Sequence, residues 1–154
     1  MMAMSIPTSC KTVLSEATRL EDEAGDFPGA MALLREHLSV HPECVEAYVH
    51  LAADSGILRQ FADAEKYARA GLAIDPDSGR ARYYLGCALR SLGRLEDALK
   101  ELETALVLVK REAVRGTLAE ASGVELPLFG WNRNVEKDVM ALRMHLALHP
   151  IRSW

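Results

Sequence analysis

The sequence predicts an all-α solenoid of helical hairpins, about three repeats followed by a degenerate hairpin that caps the C-terminal end. Three observations carry this. Residue types recur every 34 positions, each 34-residue unit divides into two stretches of helical apolar spacing, and helix-stopping residues fall between the stretches.

The period appears in several registers at once. Phe27, Phe61 and Leu95 form one; Ala30, Ala64 and Ala98 a second; Leu38, Leu72 and Leu106 a third; Val40, Ile74 and Leu108 a fourth; Pro42 and Pro76 share a fifth. Within the third unit, Ala81, Leu85, Ala88, Leu89 and Leu92 lie at helical spacing, and after a break so do Ala98, Leu102, Ala105 and Leu106. The break falls at Gly93-Arg94, as it does at Gly25-Asp26 in the first unit, where glycine can take the left-handed backbone that ends a helix. The second unit has Arg59-Gln60 there, so its turn is less well marked. Between units Pro42 and Pro76 stop the second helix, because proline has no amide hydrogen to donate, and Asp77 or Ser78 offers an N-cap to the next. Thr18, Ala52 and Gly86, with the Ala30, Ala64 and Ala98 register, place small residues where paired helices must approach closely.

This pattern resembles the tetratricopeptide repeat family, with its apolar-small pair in the first helix, Gly-x-aromatic-x-x-Ala, and Ala-Leu with a closing Pro. The third unit has Leu85-Gly86, Gly93-x-Leu95-x-x-Ala98 and Ala105-Leu106; the second has Tyr48, Leu51-Ala52, Phe61-x-x-Ala64, Gly71-Leu72 and Pro76; the first has Ala17-Thr18, Gly25, Phe27, Ala30, Leu38 and Pro42. His37 replaces the small residue before the leucine in the first unit, and Lys110 replaces the closing proline in the third. The units are placed at 11–44, 45–78 and 79–112, behind a short leader at 1–10. Residues 111–154 are read as the degenerate fourth hairpin, since Leu142 to Pro150 echoes Leu34 to Pro42, with an apolar insert near 124–133.

The family is united by architecture and partner binding rather than by a reaction. The resemblance therefore implies a non-enzymatic interaction module or scaffold, with a concave groove lined by the first helix of each unit. Matched to the family's inward positions, that groove shows Ser15, Arg19 and Asp22, then Glu46, Val49, Ala53 and Ile57, then Arg80, Tyr83, Cys87 and Arg90, with Tyr84 beside them. An apolar anchor over Val49 and Ala53 and an acidic group near Arg80 and Arg90 describe the expected peptide or protein partner. The positions where co-chaperone members grip a terminal carboxylate hold Ser15, Arg19, His50, Arg80 and Tyr84, of which only Arg80 keeps a suitable basic group, so such a clamp is not expected. A secretion-type chaperone that holds a client segment is the alternative reading. Leu128, Phe129 and Trp131 in the insert form a second candidate contact loop, with capping of the last repeat as the competing role.

Composition agrees with an interaction module. Apolar residues make up 49% and charged residues 26%, enough for a core and a soluble surface. A net charge of -4 offers no positive field for nucleic acid or anionic lipid, and no apolar stretch reaches the roughly 20 residues of a membrane span. With no signal-peptide pattern at the start, a cytoplasmic setting is expected. Homo-oligomerisation stays open.

Catalytic and metal constellations receive no support at this level. The carboxylates Glu21, Asp22 and Glu23 read as solvated charge at a helix end. Cys10, Cys44 and Cys87 are an odd number with no CxxC pair, and read as reduced, packed thiols. His37 with His41, and His145 with His149, stand four apart on helices, a spacing that can chelate a metal from one face. Without a partnering glutamate these read as helix-end residues beside the negative dipole, so metal binding through the histidine pairs ranks below protein binding and no cofactor is expected.

Overall fold

The computed structural model describes residues 8–121 and 132–149, with side chains over 10–111 and 135–149. All described secondary structure is helical: α1 (Thr8–Ala24), α2 (Phe27–Val40), α3 (Val45–Ile57), α4 (Phe61–Ile74), α5 (Gly79–Ser91), α6 (Leu95–Ala121) and α7 (Asn132–Leu148). The pairs α1/α2, α3/α4 and α5/α6 are the three hairpins that the 34-residue period predicts. Each first helix also lies against its predecessor, α3 against α1 and α5 against α3, so the hairpins stack with α1, α3 and α5 side by side.

The turns inside the hairpins share one geometry. Gly25, Arg59 and Gly93, each 34 residues apart, all have positive φ of 62°, 61° and 82°. Arg59 therefore adopts a backbone that L side chains enter at a cost of about 1–2 kcal/mol. Its hydrogen bonds repeat those of the glycine turn: Gln60 N–H donates to Ser55 O at 2.8 Å, as Arg94 N–H does to Leu89 O at 2.9 Å. The guanidinium lies 5.5 Å from the Phe61 ring centre, and this cation–π contact offsets part of the strain. The second turn, weakly marked in the sequence, is thus as sharp as the others.

Between hairpins the prolines act as expected. α2 ends at Val40 and α4 at Ile74, two residues before Pro42 and Pro76. Ser78 then caps α5, accepting from Ala81 N–H at 3.2 Å. With Lys110 in the closing-proline position nothing interrupts the ladder, and α6 runs through 27 residues to Ala121. The first part of the expected fourth hairpin is accordingly the end of α6, and α7 packs back on that long helix. At the other end α1 starts at Thr8 and buries Cys10 completely, so the helix reaches into the segment read as a leader.

Two apolar clusters fill the stack. One joins Cys10, Ala17, Ala30, Met31, Leu34, Leu38, Cys44, Ala47 and Leu51; the other joins Ala52, Ala68, Leu85, Leu89, Ala98, Leu102, Ala105 and Val109 with Val135, Val139 and Leu142 of α7. Tyr67 packs against both. α7 thus covers the apolar face of the last hairpin, which would otherwise meet water. Ion pairs tie neighbouring hairpins at the rim, Arg94 to Glu65 at 2.7 Å and Arg143 to Glu103 at 2.9 Å.

The small residues set the helix spacing. Ala30, Ala64 and Ala98 are all buried, as are Ala52 and Gly86, whereas Thr18 is exposed and α1 buries Ala17 instead. Gly86 marks the tightest approach between paired helices at a glycine, since a Cβ there would lie 2.6 Å from Leu102 Cγ and 3.3 Å from the Ala98 carbonyl oxygen. Leu102 has no exposed surface into which to retreat. Gly86→Ala is therefore expected to cost about 1–3 kcal/mol in urea unfolding by overpacking the α5–α6 seam. Gly56→Ala, where the added methyl meets nothing within 4 Å, should be neutral or stabilising by about 0.5–1 kcal/mol. Equal effects of the two would contradict this account of the seam.

Candidate peptide-binding groove

α1, α3 and α5 present two kinds of surface along their shared side, an apolar hollow and a polar band. The hollow, of about 230 Å³, lies between α3 and α5 over the start of α4 and is lined by Ala52, Ala53, Gly56, Ile57, Phe61, Ala64, Tyr83, Tyr84, Cys87, Ala88 and Ser91. Ala53, Ile57, Tyr83, Tyr84 and Cys87 come from the set that the sequence assigns to the groove. Small side chains at 52, 53, 56 and 64 leave the space, and two tyrosines packed edge to face at 5.3 Å form one wall. The volume is below that of pockets that enclose a drug-sized molecule, about 300–1,000 Å³, and suits one or two peptide side chains. Burial pushes the Cys87 thiol above its ordinary range, which keeps it neutral and in character with the apolar wall.

Two expectations about this surface change. Val49 has no exposed surface and cannot seat a ligand, because it points into the helix packing; the apolar contact shifts to Ala53 and Ile57. The basic far wall is also neutralised from within. Arg80 is paired with Glu46, Arg90 stands 3.4 Å from Asp138, and the Tyr83 hydroxyl donates to the other Asp138 oxygen at 3.1 Å. Asp138 belongs to α7, so the C-terminal segment supplies the carboxylate for which an acidic ligand would otherwise be needed. Arg19 is exposed and engages Glu16 and Glu23 on its own helix, apart from the hollow.

The polar band lies where α1, α3 and α5 meet. His50 Nε2 is 3.6 Å from Glu21 Oε2, and Asp54, only 2% exposed, faces Glu21. Neither Asp54 Oδ2 nor Glu21 Oε1 meets a donor while both carboxyls are ionised. A proton on Asp54 supplies one. Burial, then the hydrogen bond and negative charge of Glu21, push Asp54 up to about 8. Burial drives His50 the other way, below its ordinary value, against the opposing pull of Glu21. Burial raises Tyr84 as well, with the nearby Arg80 charge acting to lower it.

Glu21 is thus part of a buried pair rather than solvated charge. A repeat-register reading could have found it: Asp54 shares a register with Leu20 and Ala88, and Ser55 links Glu21 to Leu89, so acids stand where other units carry apolar residues. The cysteines carry a similar signal. Cys10 and Cys44 are 34 residues apart, and stacking brings them together as a disulfide with Cα atoms 6.4 Å apart, in place of two separate thiols. His37 Nε2 lies 3.3 Å from Cys10 Sγ. Cys87, half-buried, is the free cysteine. Leu128, Phe129 and Trp131 lie outside the described residues. No described helix is long and apolar enough to cross a membrane.

Comparison with known proteins agrees with this architecture. Residues 58–113 match the tetratricopeptide repeat family model. The first tetratricopeptide repeat domain of Spaghetti (RPAP3) bound to the HSP90 peptide SRMEEVD superposes with a TM-score of 0.70 at 16% identity, covering 94% of this chain and 99% of that one. The TPR2B domain of yeast Sti1 in its Hsp70 complex gives 0.70 at 19% identity over 90% of this chain and 99% of that one. The Yersinia enterocolitica type III secretion translocator chaperone SycD gives 0.70 at 15% identity over 89% and 85%. No curated protein matches in sequence.

The Asp54 site makes the protein's stability depend on pH. The folded chain holds this proton to about pH 8, whereas an unfolded aspartate releases it near 3.8, so stability falls as pH rises through that window. The depressed His50 contributes in the opposite sense, but only below its ordinary 6.5. Between pH 6.5 and 8 the Asp54 contribution therefore stands alone of the two, and the melting temperature should decline with pH. Asp54→Asn should flatten that slope in thermal unfolding; an undiminished slope would place the proton elsewhere.

Proposed function

Taking the chain as a tetratricopeptide repeat protein, we propose that it is a non-catalytic interaction module. It binds an extended or helical peptide segment of a partner along α1, α3 and α5, with an apolar side chain seated between α3 and α5. The observation that carries this reading is the hollow lined by Ala53, Ile57, Tyr83 and Cys87, a preformed concave apolar seat of side-chain size.

The charge arrangement refines the partner. Arg80, Arg90 and His50 each have a carboxylate neighbour inside the chain, so a ligand gains little from an acidic group and would have to displace Glu46 or Asp138 to reach the arginines. This sets the protein apart from a neighbour such as the RPAP3 domain with its bound acidic peptide. The preferred ligand has an uncharged, apolar anchor. That preference favours, as a second reading, a chaperone that keeps an apolar client segment covered, in line with the likeness to SycD.

Selection from a displayed library of random peptides tests the proposal. Enriched sequences should share one apolar residue at a fixed place, and Ala53→Arg, which fills the hollow from a half-buried position, should weaken them at least about tenfold, or about 1.4 kcal/mol. Circular dichroism verifies that the variant remains folded. Peptides that bind the Ala53→Arg protein as well as the parent would remove the hollow from the account.

A further inference from the structure

The junction between the first two hairpins differs from the second at three registers in the same chemical direction. In the second junction, the registers of the small residue, the helix end and the next N-cap hold Gly71, Asp75 and Ser78; in the first they hold His37, His41 and Cys44. Cys10 falls in the same register one unit before Cys44. Each of these three departures introduces a nitrogen or sulfur donor. Ordinary repeat packing asks for none of them: at Gly71 in the second junction even an added Cβ would meet only apolar side-chain atoms of Tyr48, Ala81 and Val45, at 3.5–3.9 Å.

The fold gathers these donors from three separate segments. Cys10 comes from α1 and is fully buried, His37 from the last turn of α2, and Cys44 from the start of α3, 3% exposed. One donor atom from each lies within 4.8 Å of the others. Cys44 holds the N-cap position of α3 yet makes no side-chain capping bond, whereas Ser78 in the same register does. Its sulfur is thus turned away from the usual task of the position and toward Cys10 and His37. The start of a helix also favours a thiolate.

We propose that the reduced protein binds one zinc ion at Cys10, His37 and Cys44. Two electrons and two protons from a thiol reductant convert the Cys10–Cys44 disulfide into two thiols. Zinc then displaces both thiol protons and takes the two thiolates and the His37 imidazole as ligands, with net release of two protons. Two thiolates and an imidazole match zinc's preference for tetrahedral sulfur and nitrogen donors. In such a site ligand sulfurs stand about 3.8 Å apart, from zinc–sulfur bonds of about 2.3 Å, which side-chain rotation reaches from Cα atoms 6.4 Å apart. His41, four residues beyond His37 with ring centres 4.9 Å apart and its Nδ1 3.5 Å from Glu43, is a candidate donor for the fourth position. The ion would clip α1 to the α2–α3 junction, the same two places that the disulfide joins.

Cobalt(II) as a spectroscopic substitute, followed by zinc competition, tests this on the full chain purified under a non-chelating phosphine reductant. The reduced protein should bind one equivalent, with thiolate-to-cobalt charge-transfer absorption and the intense visible bands of a tetrahedral site, and zinc should abolish both. Zinc should also raise the melting temperature reversibly, and a chelator should return it. Cys44→Ser and His37→Ala should lose or markedly weaken the charge-transfer bands, while Cys87→Ser keeps them. The wild-type spectra carry the test by themselves if a variant fails to fold. Absence of thiolate-to-cobalt absorption in the reduced protein, or its loss in Cys87→Ser alone, would overturn the proposal and leave the pair as a disulfide staple.

Discussion

The close approach of paired helices at small residues is the constraint on which the rest of this molecule depends. A single hairpin of this sequence cannot bury its own apolar face; Leu34, Leu51, Leu85 and Leu102 become solvent-free only when hairpins stack. Stacking at this distance requires Ala30, Ala64 and Ala98 on the second helices, and nothing larger than glycine at 86. The same spacing fixes the distance between α3 and α5, and with it the size of the hollow. Bulk at the seam would change the groove as well as the stability, because both are set by the same few side chains.

Electrostatics then decides what kind of groove it is. Five of the expected contact residues line the hollow, and two expected arginines outside its lining, Arg80 and Arg90, are spent on partners within the chain. Glu46 holds Arg80, and Asp138 of α7 holds Arg90 and Tyr83. An ion pair that is partly withdrawn from water is costly to break from one side, so these pairs behave as part of the wall. α7 consequently has two roles: Val135, Val139 and Leu142 seal the end of the stack, and Asp138 reaches round to neutralise one side of the groove.

What the sequence revealed and what it concealed divide along the range of the interactions concerned. The hairpins, the proline stops at 42 and 76 and the small-residue registers rest on local chemistry repeated at a fixed period, and they are legible except at Thr18, which is exposed while Ala17 is buried. The Arg59 turn was obscured because its residue type argues against the conformation that the surrounding helices impose. Asp138 was illegible as a groove residue, since its contacts with Tyr83 and Arg90 cross from α7 to α5 and no periodicity links them. The Glu21–Asp54 pair and the Cys10–Cys44 pair were legible in principle. Both appear once the exceptions to the repeat registers, rather than the matches, are followed into the stacked structure.

Cys87 provides the most direct probe of the central claim that the hollow between α3 and α5 is the ligand seat. It is free, half-buried and part of the lining, and its thiol is kept neutral by burial, so its reaction with an alkylating reagent is slow enough to follow. Its alkylation rate, measured by site-resolved mass spectrometry in the presence and absence of a saturating bound peptide, reports directly on occupancy. The account expects labelling of Cys87 to slow in proportion to the fraction of protein bound. An unchanged rate at full saturation would show that the ligand sits elsewhere on the solenoid.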